Sequence, residues 1–579
     1  MNSKALPTED GLEPGQRRTS PCSSHWKQIT LAVAALCLFL TGHKTFRPGK
    51  HQCHHKSDGL RRYAGEKISW KPCGDVAGRP VECSDIDVPM DQFNDTNSGN
   101  KTFSIPLIRA RGKDATQNLL LNPGGPGGSG VEFLFRRGKQ LSEIVGEGFH
   151  LLSFDPRGIN GSKPLASCYP DRESRRSLSG VRDLEPIHDS PEVYAWTQNF
   201  VKACADTMGE HGLYINTPQT AADMNNILDA VGQEDMVYWG FSYGTLLGQT
   251  YASLFPERST RVIIDGVVNA FNWYGDIFDD ESFTDTENVL EGFFRECFKA
   301  KENCSLSSVA KDSHHLRKLV FDFSEEMKQQ PISVYVNNTV YGLLDYPSLW
   351  YNGIFPALYK PASWYSLAEN LAKLLKGNAT GAFLAYGRSA AWDMEGDANQ
   401  FVSLNDAPTG PAYWPQDRET LLQEILPELN RSIFAATETG NYYARQQWSI
   451  PTTHNFTQLP HVNTAHPLLV LSTTYDPICP LISAKAASAA FEGSQIVEVV
   501  GYGHCSVAVA STCLAKHVRD FLYHGTLPHS YTKCEVDGPY FIKPEEDGKV
   551  VAQRVFETAE EEKIHLAQLE LARDWEWLI

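Results

Sequence analysis

Residues Met236 to Leu254 read MVYWGFSYGTLLGQTYASL, and their reading decides the fold. Met236 to Trp239 is a short apolar run with the composition of a buried strand, and Thr245 to Leu254 has a helical pattern. Between them stands Gly240-Phe-Ser242-Tyr-Gly244, the only Gly-x-Ser-x-Gly in the chain. A serine on a sharp strand-to-helix turn needs small neighbours two residues to either side, because the two backbones approach each other there. The turn presents its hydroxyl at the helix N-terminus. Five residues alone are a weak signal in a chain of 579; the strand before and the helix after make it stronger.

A serine hydroxyl is a poor nucleophile unless a base takes its proton, and a histidine base needs an acid to fix its tautomer. Both are expected after later strands. Pro467 to Leu471 reads as a strand and is followed by Ser-Thr-Thr-Tyr-Asp476; Gln495 to Val500 reads as the next and is followed by Gly-Tyr-Gly-His504-Cys. The chain order Ser242, Asp476, His504 is the one that this sheet topology uses. Acyl transfer also needs preorganised donors for an oxyanion. One is expected from the backbone N–H of Tyr243. The second belongs on the loop after the strand Asn118 to Leu121, which reads Asn122-Pro-Gly-Gly125-Pro-Gly-Gly-Ser-Gly130. Pro126 has no N–H, so the donor is assigned to Gly125, with Gly124 as the alternative. The same loop satisfies a G-x-G-x-x-G dinucleotide pattern through Gly125, Gly127 and Gly130. We read it as an oxyanion loop, with no cofactor and no metal, because the hydrolase parts are all present elsewhere.

Working outward, short apolar strands alternate with helical stretches from about residue 118: Phe149 to Phe154 and Arg261 to Ile264 complete the set. This is the pattern of a mostly parallel sheet with helices on both faces. About 190 residues, 270–460, interrupt it as helices and loops, which we read as a lid. Six of the twelve tryptophans fall there (Trp273, Trp350, Trp364, Trp392, Trp414, Trp448), either lining an aromatic pocket or forming the lid's own core. Near the end, Ile564, Ala567, Leu571 and Trp575 recur at helical spacing within Val555 to Trp577, predicting an amphipathic helix docked on the body. The expected organisation is a polar tail over 1–28, an anchor over 29–42, a stalk over 43–69, a core over 70–269 and 461–535 split by the lid, and a helical extension over 536–579.

The net charge of −18 lacks the basic patch that nucleic acid requires. The apolar run Ile29 to Gly42 is shorter than a spanning helix prefers. No small-x-small cleavage site follows it before His43, Lys44 and Arg47, which favours a signal anchor over a cleaved signal. Beyond it lie eight Asn-x-Ser/Thr acceptors (Asn94, Asn100, Asn160, Asn303, Asn337, Asn378, Asn430, Asn455) and 11 of the 13 cysteines. Cys73 with Cys83, Cys168 with Cys204, Cys297 with Cys304 and Cys513 with Cys534 are short-range pairs suited to an oxidising compartment. The expectation is a single-pass membrane protein with its body lumenal or extracellular. Cys53 in the stalk is left to link two chains as a dimer. Because Asp476 and His504 must meet, Cys479 and Cys505 beside them are expected to meet also, and to form a disulfide.

The glycine loop 122–130, Phe154-Asp-Pro-Arg-Gly158, Gly240-Phe-Ser-Tyr-Gly244 and Gly503-His504 with Cys513 and Cys534 behind it resemble the tripeptidyl-aminopeptidase-like branch of the proline iminopeptidase group of α/β-hydrolases, over about residues 70–535. The resemblance implies an α/β-hydrolase fold with a large, mainly helical lid insertion, Ser242, Asp476 and His504 as a triad, and Asp155 with Arg157 as a structural pair. Relatives that remove single prolines begin the glycine loop with His, where this chain has Pro123. The resemblance therefore implies release of short peptides from free N-termini rather than strict proline removal. It also implies an acidic anchor for the substrate amine in the lid, which no residue could be matched to. Two other readings stay open: an ester or amide hydrolase or acyltransferase acting on a small molecule, and a catalytically silent binding ectodomain.

Overall fold

The computed structural model describes residues 65–181, 185–278, 281–387, 397–544 and 550–574. The apolar run 29–42, residues 43–64 of the stalk with Cys53, and Trp392 and Trp575 lie outside the described residues.

Among the described residues twelve strands occur in chain order: β1 Lys71–Val76, β2 Arg79–Pro89, β3 Thr102–Ala110, β4 Gln117–Asn122, β5 Phe149–Phe154, β6 Met236–Phe241, β7 Ser259–Asp265, β8 Ile332–Asn337, β9 Val340–Leu344, β10 Leu469–Tyr475, β11 Gln495–Tyr502 and β12 Thr532–Glu535. Ten form one sheet in the order β1-β2-β3-β5-β4-β6-β7-β10-β11-β12, and β8 pairs with β9 in a separate hairpin. From β5 to β12 the neighbours are parallel, while β1, β2 and β3 add an antiparallel edge. All six expected strands are present.

The parallel strands are apolar at successive positions because both faces are covered. In β6, Met236 and Tyr238 join one core with the helices Thr217–Val231 and Tyr243–Leu254. Val237, Trp239 and Phe241 join the opposite core with the helices Gly130–Val145 and Thr512–His524. In β4, Leu120 joins the first, Leu119 and Leu121 the second. The terminal helix spans Ala559–Asp574 and buries Ile564, Ala567 and Leu571 in that second core. It docks on the body as expected.

The sheet extends beyond the sequence reading by β1–β3 and β12. β1 is almost wholly exposed, so it carries no apolar alternation to detect. Its link to β2 is the expected Cys73–Cys83 disulfide, and the pairs Cys168–Cys204, Cys297–Cys304 and Cys513–Cys534 are also formed.

Residues 270–460 are mainly helical, with the β8–β9 hairpin as an addition. They build a core of their own, in which Trp350 and Trp364 are wholly buried against Phe293, Leu367 and neighbours. Trp414 joins a smaller cluster and Trp448 packs with Phe401. Most of the described tryptophans are core, and among the described residues Trp273 is the one that reaches the cavity described next.

Candidate active site

The C-terminal ends of β4, β6, β7, β10 and β11 meet along one edge of the sheet, where loops are free of the ladder and project side chains. Ser242 follows β6 directly at φ 56° and ψ −126°, a left-handed conformation that is strained for a residue with a Cβ. Its surroundings over-determine it. The Ser242 N–H donates to the Asp265 carbonyl at 3.0 Å, and its own carbonyl accepts from the Thr245 N–H at 2.7 Å and the Thr245 hydroxyl at 2.6 Å. A Cβ on Gly240 would overlap the Gly244 carbonyl and the Tyr238 ring, and one on Gly244 would lie 2.8 Å from the Asn122 carbonyl. The two glycines make the turn possible, as their spacing predicts.

Asp476 follows β10 and His504 follows β11, and both are buried. Both Asp476 oxygens lie 2.9 Å from His504 Nδ1. The same carboxylate accepts the Cys479 N–H at 2.9 Å and the Ile478 N–H at 3.1 Å on Oδ1, and the Cys505 N–H at 2.9 Å on Oδ2. A carboxylate so held fixes Nδ1 as the protonated nitrogen and leaves Nε2 able to accept a proton. The His504 N–H donates to the Tyr359 carbonyl at 2.9 Å, and the Tyr359 ring meets the imidazole edge-on at 5.0 Å.

Cys479 and Cys505 do flank this pair, but they are not bonded to each other: both are buried thiols. That corrects the expected disulfide. The Cys505 thiol donates to the Asp265 carbonyl at 3.1 Å, and burial, with Asp265 and Asp476 beside it, pushes its pKa well up, so it stays protonated. The two loops are joined through the Asp476 carboxylate, which accepts from both backbones, rather than through sulfur.

Ser242, His504, Gly125 and Tyr243 line one cavity of about 140 Å³, with Trp273, Asn269 and Cys479 in its wall. The Gly124 N–H is taken by Asn122 Oδ1 at 3.0 Å, whereas the Gly125 and Tyr243 N–H groups have no partner among the described residues. A Cβ on Gly124 would lie 3.1 Å from the Tyr243 nitrogen, so the glycine loop rests directly against the serine turn. Chemically, a hydroxyl, an oriented imidazole and two uncommitted backbone donors around one small space can form and break an acyl-enzyme. Asp476, Cys479 and His504 each place a donor atom within 4.8 Å of the others, but the carboxylate and imidazole are already bonded together. The other such group, Cys513, His517 and Cys534, has two of its sulfurs in a disulfide.

Asp155 and Arg157 are separate anchors, not a pair. Asp155 accepts from Ser129 Oγ at 2.6 Å and Val131 N–H at 3.1 Å, tying the glycine loop and the first turn of the following helix. Arg157 pairs with Asp223 at 2.5 Å, both wholly buried, and donates to the Met90 and Tyr214 carbonyls.

Three acids escaped the sequence reading. Asp265 ends β7, where an acid at the tip of a predicted strand was the available signal. Glu281 accepts from two cavity-lining residues, Asn269 Nδ2 at 3.0 Å and Ser483 Oγ at 2.5 Å. Asp406, wholly buried, accepts from Trp273 Nε1 at 2.9 Å and from the Thr217 N–H and hydroxyl at 2.9 and 2.5 Å. The Thr217 hydroxyl in turn lies 2.6 Å from the Tyr243 hydroxyl. No local pattern marks Glu281 or Asp406, because their partners are distant in the chain.

A family model described as the alpha/beta hydrolase fold matches residues 117–350, and one described as TAP-like protein matches residues 434–534. Serine protease Hip1 of Mycobacterium tuberculosis is 28% identical over 540 residues, 87% of this chain and 97% of that protein. Tripeptidyl aminopeptidase of Streptomyces coelicolor is 30% identical over 225 residues, 37% of this chain and 41% of that protein. Carboxylesterase B of M. tuberculosis is 26% identical over 506 residues, covering 80% and 89%.

Proposed function

We propose, from the premise that this chain belongs to the TAP-like branch of the α/β-hydrolases and is a serine hydrolase of peptidase type, that it is an exopeptidase releasing short peptides or single residues from free N-termini. The observation that carries the assignment of residues is the His504 imidazole, bonded through Nδ1 to Asp476 and facing the cavity that Ser242 also lines.

In this reading Ser242 Oγ attacks the scissile carbonyl carbon as its proton passes to His504 Nε2. The new C–O bond forms while the carbonyl π pair moves onto oxygen, and the Gly125 and Tyr243 N–H groups receive that charge. Collapse expels the amine, which takes the proton from His504. Water then repeats the sequence on the acyl-enzyme, returning Ser242. Asp476 holds the ring throughout.

Glu281 is the carboxylate we assign to the substrate amine. It stands behind Asn269 and Ser483 in the cavity wall and belongs to the 270–460 insertion. Chromogenic aminoacyl, tripeptidyl and simple ester substrates assayed side by side test the reading. Preference for a free amino terminus is expected, and equal turnover of N-blocked substrates would redirect it. A second reading, hydrolysis or acyl transfer on a small-molecule ester or amide, is favoured by the likeness to carboxylesterase B, and product analysis separates it. The silent-ectodomain reading is disfavoured by the oriented imidazole and the uncommitted donors.

We also place the catalytic body in a lumenal or extracellular compartment, anchored through residues 29–42. All eight glycan acceptors are exposed and four disulfides are formed, which supports that placement. Among the described residues no helix is long and apolar enough to cross a membrane. A chain-linking role for Cys53 belongs to the same proposal.

A further inference from the structure

The glycine loop is held at three points. At its start Asn122 Oδ1 accepts the Gly124 N–H at 3.0 Å, and in its middle the Gly128 N–H donates to the Gly124 carbonyl at 3.1 Å. At its end stands Ser129, the N-cap of the helix Gly130–Val145. Ser129 Oγ donates to Asp155 Oδ1 at 2.6 Å and accepts from the Glu132 N–H at 3.1 Å and from Asn160 Nδ2 at 3.0 Å. A hydroxyl has one hydrogen and two lone pairs, so every site on this one is used. The buried Asp155 carboxylate also accepts from the Val131 N–H, from Asn160 Nδ2 at 3.0 Å and from the Gly161 N–H at 3.1 Å.

Asn160 has φ 46°, in the left-handed region that glycine enters at no steric cost and asparagine tolerates. The turn itself therefore needs no side chain there, yet both Nδ2 hydrogens are spent, one on Ser129 and one on Asp155. The residue is exposed, so water can satisfy both acceptors if the amide is removed, and stability depends little on it. Water cannot tie the turn to the glycine loop. Gly125 stands four residues before Ser129, and its N–H must lie within hydrogen-bond range of the oxyanion to serve catalysis. Asn160 also opens one of the eight glycan acceptors, Asn160-Gly-Ser162. A sugar on Nδ2 would replace one of its two hydrogens and so break one of these two bonds.

We propose that Asn160 is a positioning residue for the Gly125 oxyanion donor and works as an unmodified amide, despite standing in a glycan acceptor. It acts through Ser129 and the loop and does not touch the substrate. A donor displaced from the oxyanion weakens the transition state more than the ground state, so the cost falls on kcat rather than KM. The inference rests on the acyl-enzyme chemistry proposed above and not on the preference for free N-termini, because an oxyanion forms whether the acyl group comes from a peptide or an ester.

The test compares wild type, N160G and N160D, each as the full chain from a eukaryotic secretory host. N160G keeps the left-handed turn and removes only the amide; N160D keeps the shape but sets a carboxylate beside Asp155. Kinetics on tripeptidyl and ester substrates, affinity for a peptide boronate that forms a tetrahedral serine adduct, thermal unfolding and glycopeptide mapping are measured together. Both variants should lose about tenfold or more in kcat on both substrate classes, with KM within about twofold. Boronate affinity should fall by a similar factor, the N160G melting transition should stay in place, and Asn160 should carry no sugar. An unchanged kcat in N160G, or a change in KM alone, would overturn the proposal. So would a kcat loss with boronate affinity intact, a kcat loss accounted for by a lower melting transition, or a sugar on Asn160 of fully active enzyme. A wild type that prefers N-blocked esters, with the N160G loss retained, would refute the exopeptidase preference and support this inference. A wild type with neither activity nor fluorophosphonate labelling would overturn both.

Discussion

The carboxylate of Asp265 accepts both the backbone N–H and the hydroxyl of Ser506, two residues beyond His504, at 2.7 and 2.6 Å. The same residue's carbonyl accepts the Ser242 N–H at 3.0 Å. One side chain and one peptide unit at the tip of β7 therefore brace the serine turn and the histidine loop together.

Burial raises the Asp265 pKa from 3.8 to about 6, against the Ser506 and Trp239 hydrogen bonds that lower it. The native state thus binds a proton more tightly than the unfolded chain does. The resulting stabilisation is full below about pH 4 and is lost as pH rises through about 6. Chemical denaturation of wild type and Asp265→Asn at several pH values should show wild type losing up to about 3 kcal/mol relative to the variant between pH 4 and 7. A constant difference would contradict it.

Asp406 joins the cavity wall to the serine turn through Trp273, Thr217 and Tyr243. Asp406→Ala leaves the two buried donors of Thr217 and the half-buried Trp273 Nε1 without this acceptor, and a hydrogen bond to a charged group is worth about 1.5–3 kcal/mol. We expect a destabilisation of at least roughly 3 kcal/mol, read by urea unfolding. Activity in the surviving folded fraction should fall as the Trp273 wall loosens. Unchanged stability would remove Asp406 from this role.

Glu281→Gln keeps the size and the hydrogen bonds available from Asn269 and Ser483 but removes the charge. An exopeptidase site should then lose about tenfold or more in kcat/KM on substrates with a free amino terminus and little on N-blocked esters. Equal losses on both would place the amine site elsewhere.

Cys479 and Cys505 should both be alkylated when the protein is unfolded without reductant, while the four disulfide pairs resist alkylation. Non-reducing peptide mapping distinguishes this from a disulfide between them.

The core strands were legible because burial on both faces writes continuous apolar runs, as in Asn118 to Leu121 and Pro467 to Leu471. Ser242, Asp476 and His504 were legible because each stands at a fixed offset from such a strand. β1 was hidden by its exposure, and the hairpin by its position inside a helical insertion. Glu281, Asp406 and Tyr359 act through partners far along the chain, which no window of sequence displays. The expected disulfide is not formed: Cys479 and Cys505 stay thiols, and the Cys505 thiol is spent on the Asp265 carbonyl, a partner 240 residues away that no window of sequence displays.

The account centres on Ser242 as an activated hydroxyl, and fluorophosphonate labelling tests that most directly. Wild type should be labelled at Ser242 and lose peptidase activity in proportion, while Ser242→Ala, folded as judged by an unchanged melting transition, should take up no label. Labelling that persists in the folded Ser242→Ala protein would contradict the account.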